Sequence, residues 1–226
     1  MRIAVLSDIH ANLEALEAAL ADLEDREAET VLVAGDLVGD GPDPAGVVKL
    51  LRTRTFATIR GNVDNKVVAT AALPEAQQAV LLEKKKRADL VRTARQLGRT
   101  NLRWLERLPT ALTLRFEGKV LQLVHGSPLG DTDYIFPSLT SRALAAKLGS
   151  NQPDVLVCGH SHIPFARRIR GVTVVNAGSV GRPVDGDPRG SYALVEIERD
   201  QPPRARIVRF SYPFERSRAR IIPRQG

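Results

Sequence analysis

The first quarter of the chain alternates apolar runs with amphipathic segments. Apolar runs at 2–7, 30–35 and 56–60 predict three buried strands. Between them, the spacing of leucines over 12–28 predicts an amphipathic helix, and 45–53 predicts a shorter one. This β-α-β-α-β order indicates a parallel sheet with right-handed crossover connections.

The rest of the chain divides into a helical stretch and a series of strands. Residues 65–109 are rich in Ala, Leu, Glu, Lys and Arg and predict helices that break near Pro74 and Gly98. Short strands then dominate, interrupted by one helix over 139–149 with Ser138 as its N-cap. The turns between these strands indicate antiparallel pairing in this half. The predicted strands are 111–117, 119–124, 154–158, 163–170, 172–176, 190–198 and 204–210.

The composition is that of a globular protein with a single domain. Hydrophobic residues make up 43% of the 226 residues and charged residues 26%, so we expect one domain over 1–226. No run of about 18 apolar residues is present, and we expect no membrane span. The N-terminal apolar run lacks the cleavage site of a signal peptide. The single cysteine, Cys158, excludes an internal disulfide and is consistent with a cytoplasmic location.

The chain is basic, with a formal net charge of +7 and a pI of about 10.0. Such a balance permits attraction to nucleic acid. The excess is mostly arginine, spread along the chain and dense near its end, where 213–226 predict a basic tail. Charged residues at 83–87 fit a solvated helix face. Nucleic acid therefore stays open as a partner, although charge alone does not require it.

Side chains that carry chemistry collect where the predicted strands end. All four histidines follow apolar strands, and carboxylate or amide side chains follow the first three strands in the same way. The set comprises His10, His125, His160 and His162, with Asp8, Asp36, Asn62 and Asp64. Ligand sites in an open α/β sheet form at strand ends. Imidazole, carboxylate and amide groups together suit divalent ions such as manganese, iron or zinc, and the two oxygens of a carboxylate can bridge two ions.

The order of these fragments resembles the calcineurin-like metallophosphoesterase superfamily, in particular its small single-domain bacterial and archaeal phosphodiesterases. The matching segments are SDIHANLEAL (7–16), GDLVGDGPDP (35–44), GNVD (61–64), HGSP (125–128), GHSHIP (159–164) and NAGSVGRP (176–183). The resemblance implies an α+β (α/β) fold, a four-layer α-β-β-α sandwich with two mixed β-sheets. Residues 65–109 would then be a helical insertion beside the mouth of the active site.

The resemblance also implies roles for the site residues. Asp8, His10 and His162 would bind one divalent metal ion, Asn62, His125 and His160 a second, and Asp36 would bridge both. Manganese is expected first, with iron, zinc, nickel and cobalt as alternatives. A hydroxide between the ions would be the in-line nucleophile.

One motif departs from the family pattern. The family's third motif carries a histidine near the leaving group, where this chain has Val63. Valine cannot protonate a leaving oxygen, and Asp64 loses the partner that it has in the family. Asp64 is then a candidate either for a remaining catalytic role or, as we favour, for the cap of a helix that starts near Asn65.

Three further polar residues lie near these motifs in the sequence. Arg60 is a candidate for contact with the substrate phosphate or with a surface carboxylate, and Arg182 is a second candidate for the phosphate. Asp40 lies in the Gly/Pro-rich loop after the second strand, where it is a candidate neighbour of Asp36, although we favour a role in a turn.

The predicted function is a metal-dependent phosphoesterase acting on a small phosphate-ester substrate, with phosphodiesters favoured. The alternatives are a phosphomonoesterase or protein phosphatase, a nuclease, and a non-catalytic scaffold of the same fold. All seven expected metal ligands are present, which argues against the scaffold. The sequence names neither the natural substrate nor the oligomeric state.

Overall fold

The computed structural model describes residues 1–149 and 152–213, so that most of the predicted tail lies outside the described residues. The strands are β1 (Arg2–Leu6), β2 (Thr30–Ala34), β3 (Ala57–Ile59), β4 (Ala111–Phe116), β5 (Lys119–Val124), β6 (Val155–Cys158), β7 (Phe165–Ile169), β8 (Val172–Asn176), β9 (Gly190–Glu196) and β10 (Arg204–Phe210). The helices are α1 (Leu13–Glu24), α2 (Pro44–Arg52), α3 (Asn62–Ala71), α4 (Glu75–Glu83), α5 (Lys85–Arg107) and α6 (Ser141–Leu148). Within the described ranges, no helix combines the length and apolar character needed to cross a membrane.

Two mixed five-stranded sheets form the centre of the fold. The first has the order β10-β9-β1-β2-β3, in which β1, β2 and β3 are parallel and β9 is antiparallel to both of its neighbours. The second has the order β4-β5-β6-β8-β7, with β5, β6 and β8 parallel. The predicted parallel pairing of the first three strands is confirmed. The antiparallel pairing predicted in the second half is confirmed for β4 with β5, β7 with β8 and β9 with β10. It is wrong for β6, which runs parallel to β5 and β8, because α6 provides the crossover between β5 and β6.

Alternation along β1 shows how the layers are joined. Ile3 and Val5 lie between the two sheets, packed with Leu121 and Val157 of the second sheet. Leu6 faces the opposite side, where helices α1, α2, α3 and α5 cover the first sheet. Helix α6 covers the outer face of the second sheet. The layers therefore run helix, sheet, sheet, helix, and the predicted four-layer sandwich is confirmed.

The helix boundaries agree with the sequence pattern except at one cap. Helix α4 begins directly after Pro74, and α5 is interrupted at Gly98, whose φ of 66° is left-handed. Both predicted breaks are therefore confirmed. Ser138 is not the cap of α6, because that helix begins later and the side chain of Thr140 accepts the hydrogen bond from its first turn.

Candidate metal centre

Three side chains converge where β1 and β6 end. Oδ2 of Asp8 accepts hydrogen bonds from the hydroxyl of Ser7 at 2.6 Å and from the backbone amide of His160 at 2.9 Å. Its other oxygen, Oδ1, lies 3.1 Å from Nε2 of His162 and 3.7 Å from Nε2 of His10. These two nitrogens are 3.1 Å apart. One carboxylate oxygen and two imidazole nitrogens therefore face a common point.

A second group of donors adjoins the first. Oδ1 of Asp36 accepts a backbone amide of α3 at 2.8 Å, which leaves Oδ2 to face the centre. This Oδ2 lies 3.4 Å from Nε2 of His125 and 3.7 Å from Nε2 of His10. Oδ1 of Asn62 is 3.0 Å from the same His125 nitrogen, and one ligand atom each of Asp36, His125 and His160 lie within 4.8 Å of one another. Asp36 thus stands between the two groups of donors.

The backbone around these residues is strained. Of the ten non-glycine residues with positive φ in the described ranges, seven surround the site: Asp8, His10, Ala11, Asp36, Asp40, His160 and His162. Left-handed backbone of this kind costs about 1–3 kcal/mol per residue and collects at functional sites. The fold therefore holds these side chains together against local conformational preference.

The buried carboxylates require positive charge between them. Burial by itself would raise the pKa of Asp8, but the positive charge of His162 and the neighbouring imidazole of His10 outweigh it and hold the pKa well below its usual range. Burial would lower the pKa of His125, but the carboxylates of Asp36 and Asp8 outweigh it and raise the pKa to about 10. Within the described residues, Oδ1 of Asp8 has no hydrogen-bond partner although it is fully buried. A cation at this point would satisfy it.

The outer nitrogens of two histidines prepare the inner nitrogens for coordination. Nδ1 of His125 donates to the carbonyl oxygen of Ala34 at 2.8 Å, and Nδ1 of His162 donates to that of Arg182 at 2.6 Å. Because a carbonyl can only accept, Nδ1 carries a hydrogen in both residues, and Nε2 is the nitrogen that would coordinate an ion once the ion has displaced its proton. Metal-binding histidines are held in this way. The donors therefore fit a divalent ion in each group.

Comparison with known proteins identifies the family. The model of the calcineurin-like phosphoesterase superfamily domain matches residues 1–200. The chain belongs to this superfamily. It is a phosphoric ester hydrolase, and the resemblance predicted from the motifs is confirmed. Membership implies divalent metal ions, for which the two groups of donors are the candidate sites.

Individual relatives agree with the assignment. The chain is 30% identical over 237 residues to the uncharacterized protein MJ0912 of Methanocaldococcus jannaschii, with 97% of this chain and 91% of that protein covered. It is 27% identical over 209 residues to the phosphodiesterase YfcE of Escherichia coli, covering 87% and 88%. The crystal structure of a metallophosphoesterase from Sphaerobacter thermophilus superposes with a TM-score of 0.79 at 30% identity, covering 97% and 92%.

Asp40 is a residue of this phosphoesterase whose position the sequence did not reveal. Its carboxylate is buried beside the site instead of serving only a turn. Oδ2 lies 3.4 Å from Nδ1 of His10 and 3.3 Å from Nη1 of Arg182. An acidic residue inside a glycine-rich loop was the available signal, but the same pattern is common in surface turns.

Asp64 fixes the loop that carries Asp36. Its carboxylate accepts the backbone amides of Gly61 at 2.8 Å, Leu37 at 3.0 Å and Val38 at 3.1 Å. Burial and the nearby charge of Asp36 raise the pKa of Asp64 to about 7. Helix α3 begins at Asn62, so the expected start near residue 65 is wrong, but the expected capping role is confirmed, because the Asp64 carboxylate accepts the amide of the N-cap residue Gly61. Asp64 also joins the helix to the neighbouring loop.

The two arginines differ in their surroundings. Arg60 donates from its guanidinium to the carbonyl oxygen of Glu106 near the end of α5. Arg182 lies at the rim of the site, since its carbonyl holds His162 and its guanidinium reaches Asp40. Contact of either side chain with a substrate phosphate stays a prediction.

Val63 is a core residue in this structure. Its side chain is 5% exposed and packs with the cluster between the first sheet and its helices. The Cγ1 methyl occupies the space into which a side chain at Gly39 would project, 2.4 Å from the position of such a Cβ. The side chain at position 63 therefore contributes to core packing and supplies no acid.

Proposed function

We propose that this protein hydrolyses phosphate esters with two divalent ions, manganese first, held side by side at the strand ends. The observation that carries the proposal is the position of Asp36. Its Oδ2 lies 3.7 Å from His10 of the first donor group and 3.4 Å from His125 of the second. A carboxylate oxygen between two groups of imidazoles suits a ligand shared by two ions.

The roles of the seven side chains follow from this arrangement. Asp8, His10 and His162 would hold one ion, Asn62, His125 and His160 would hold the other, and Asp36 would be shared between the two groups. When bound, the ions neutralise charge on the phosphoryl oxygens and lower the pKa of a bound water. Arg182, at the rim, supplies a further positive charge for the phosphate.

Phosphodiesters are the favoured substrates. Val63 has no proton to give to a leaving oxygen, and its burial leaves the side chain directed into the core. Alkyl monoesters depend on such a proton more than esters with good leaving groups do. The relative named phosphodiesterase in Escherichia coli supports the same preference. Phosphomonoesters are the alternative substrates, and the basic charge keeps short nucleic acids among those to test.

A cytoplasmic location is part of the proposal. Cys158 is buried and unpaired in the described structure, so the fold uses no disulfide of its own. Free thiols of this kind are ordinary in a reducing compartment.

The experiment is a metal titration with metal content measured in parallel. The metal-stripped protein is assayed on bis(p-nitrophenyl) phosphate with increasing manganese, and bound ions are counted by mass spectrometry. We expect close to two ions per chain. Asp36→Asn keeps the shape but removes the charge between the ions, and we expect a loss of about a thousandfold in kcat at saturating metal.

The matched control is Asp89→Asn, which removes a carboxylate that pairs with Arg92 on the surface of α5. We expect it to leave activity unchanged. An Asp36→Asn protein that keeps most of its activity, or a wild type that binds one ion and is fully active, would contradict the two-ion proposal.

A further inference from the structure

Two exposed aromatic side chains stand beside the metal centre. Tyr134 is 45% exposed and Phe136 is 36% exposed, whereas every other aromatic side chain in the described residues is at least partly buried. The chain has only six Phe, three Tyr and one Trp, so aromatic residues are scarce. A pair left in solvent at one place indicates a surface that contacts something apolar.

The pair continues from a residue of the donor cluster. The ring of Tyr134 stacks on that of His160, with centroids 4.2 Å apart and planes 20° apart. The ring of Phe136 stacks on Tyr134 at 5.1 Å and 13°. Three nearly parallel rings therefore lead from the metal centre to the surface. We call Tyr134 and Phe136 the aromatic ledge.

The segment that carries the ledge is anchored between the two rings. Ile135 is completely buried and packs in the core beneath α6. Tyr134 and Phe136, one residue to either side, face solvent, as expected for extended chain. The buried side chain thereby fixes the orientation of both rings.

Polar contacts hold the same segment on both sides. The ammonium group of Lys147 in α6 donates to both carboxylate oxygens of Asp133, at 2.6 and 2.7 Å. The side-chain amide of Asn65 in α3 donates to Asp131 at 2.7 Å. The ledge is therefore a formed surface, so that a ligand placed on it would not have to order the loop first.

We propose that the aromatic ledge binds a flat aromatic group of the substrate, so that the enzyme selects phosphate esters that carry an aryl ring or a nucleobase. Parallel rings present a flat face to which another ring adds by offset stacking. Tyr134, which stacks on His160 and is 45% exposed, puts part of the ledge next to the site where the phosphate is expected. This inference rests on the proposed function, because it assumes that the phosphate binds at the metal centre.

The test compares phosphonates that share one charged head group. Benzylphosphonate and cyclohexylmethylphosphonate have the same reach and similar apolar size, but only the first is flat. Each is measured as a competitive inhibitor of the manganese-loaded enzyme with bis(p-nitrophenyl) phosphate as reporter. We expect benzylphosphonate to bind about fivefold more tightly. Thymidine 5′-monophosphate, as a third inhibitor, distinguishes a nucleobase from a simple aryl ring.

The deciding variant is Phe136→Ala, because Phe136 joins the stack through Tyr134 and not through the predicted ligand. We expect this variant to lower the ratio of the two inhibition constants, cyclohexylmethylphosphonate over benzylphosphonate, to about one. The inhibition constant of methylphosphonate should stay unchanged. Tyr134→Leu should do the same, with metal content measured because Tyr134 touches His160. Val80→Ala, which shortens an exposed apolar side chain on α4, is the control and should keep the preference.

The outcomes separate this inference from the proposed function. Equal inhibition by the flat and the puckered phosphonate in an active wild type would overturn the inference alone, and it is the result expected if the ledge instead docks a protein. A preference that survives in Phe136→Ala would also overturn it. Failure of the wild type to hydrolyse the reporter with any divalent metal would overturn the proposed function.

Discussion

Oδ2 of Asp40 lies 3.4 Å from Nδ1 of His10, on the side of the imidazole that faces away from the donor cluster. The inner nitrogen, Nε2, lies 3.7 Å from both Asp8 and Asp36. Asp40 therefore faces the outer nitrogen of His10, as the carbonyl of Ala34 faces that of His125, but the contact with Asp40 is a longer ion-pair contact and not a hydrogen bond. A carboxylate in this place orients the ring and strengthens the imidazole as a metal ligand.

We predict that Asp40→Asn weakens metal binding. Loss of a partner that orients a metal-binding histidine commonly costs about tenfold to a hundredfold in metal affinity or activity. The manganese concentration for half-maximal activity should therefore rise at least about tenfold, and excess manganese should restore most of kcat. Asp89→Asn serves as the control. A half-saturation concentration equal to that of the wild type, in folded Asp40→Asn protein, would show that Asp40 does not act through His10.

Gly159 is required because another loop approaches it closely. A Cβ on this residue would lie 1.9 Å from Oγ of Ser7 and 2.3 Å from Oδ2 of Asp8. We predict that Gly159→Ala displaces Asp8 and lowers both metal content and activity by about tenfold or more. Gly130→Ala is the matched control, since nothing lies within 4 Å of the added atom. Bound metal is counted in both variants, and a Gly159→Ala protein with full metal content would contradict the prediction.

The sequence could predict the layers and the clustering of donors because both depend on simple patterns. Apolar runs mark buried strands, and the polar residues that follow them meet at one edge of the sheet. It could not predict that Asp40 and Asp64 are buried, because their partners are brought near only by tertiary packing. The loop amides of Leu37 and Val38, which bind Asp64, lie 26 or more residues away along the chain. The parallel pairing of β5 and β6 could not be predicted either. The sequence pattern of α6 indicates a helix between two strands, but it does not show how those strands pair.

A partly buried hydrogen bond between a tyrosine hydroxyl and a carboxylate joins the first helix to the first sheet and gives a pH-dependent contribution to stability. Tyr192 of β9 donates its hydroxyl to Asp22 of α1 at 2.6 Å, and Arg26 pairs with the same carboxylate. Burial would raise the pKa of Asp22, but the hydrogen bonds from Arg26 and Tyr192 outweigh it and lower the pKa. A lowered pKa in the folded state stabilises the protein above the ordinary pKa of the carboxyl, and this stabilisation is lost as the pH falls through the folded pKa.

We therefore predict that Asp22→Asn lowers the free energy of unfolding by about 1 kcal/mol at neutral pH. The difference from the wild type should begin to shrink as the pH falls below the ordinary pKa of about 3.9, and it should disappear only below the lowered pKa of Asp22 in the folded wild type. Urea unfolding at pH 7 and at pH 3 measures both values. Metal-stripped protein is used at both pH values, because loss of metal in acid would otherwise add its own destabilisation. A difference that is equal at the two pH values would contradict the assigned role of the charge.

The last prediction concerns Val63, which is buried against the loop at Gly39. The wild type should prefer bis(p-nitrophenyl) phosphate over glycerol 2-phosphate in kcat/KM, because an alkyl leaving group needs a proton that valine cannot supply. A positioned acid contributes about a hundredfold to ten-thousandfold to such a step. Val63→His adds the missing group, but the larger ring must displace packing at a cost of about 1–3 kcal/mol. Even an imperfectly placed imidazole should lower the ratio of kcat/KM for the diester to kcat/KM for the monoester by about tenfold.

Val63→Leu is the control for that change, because leucine enlarges the side chain without adding an acid. Metal content and the melting temperature are measured for both variants, so that a change in the ratio is not attributed to unfolding. We expect Val63→Leu to keep the wild-type ratio and Val63→His to raise the rate on the monoester selectively. A ratio that stays the same in folded, metal-loaded Val63→His protein would mean that the missing acid does not set the preference. Faster hydrolysis of the alkyl monoester by the wild type would mean that another proton donor, such as a bound water, already protonates the leaving oxygen.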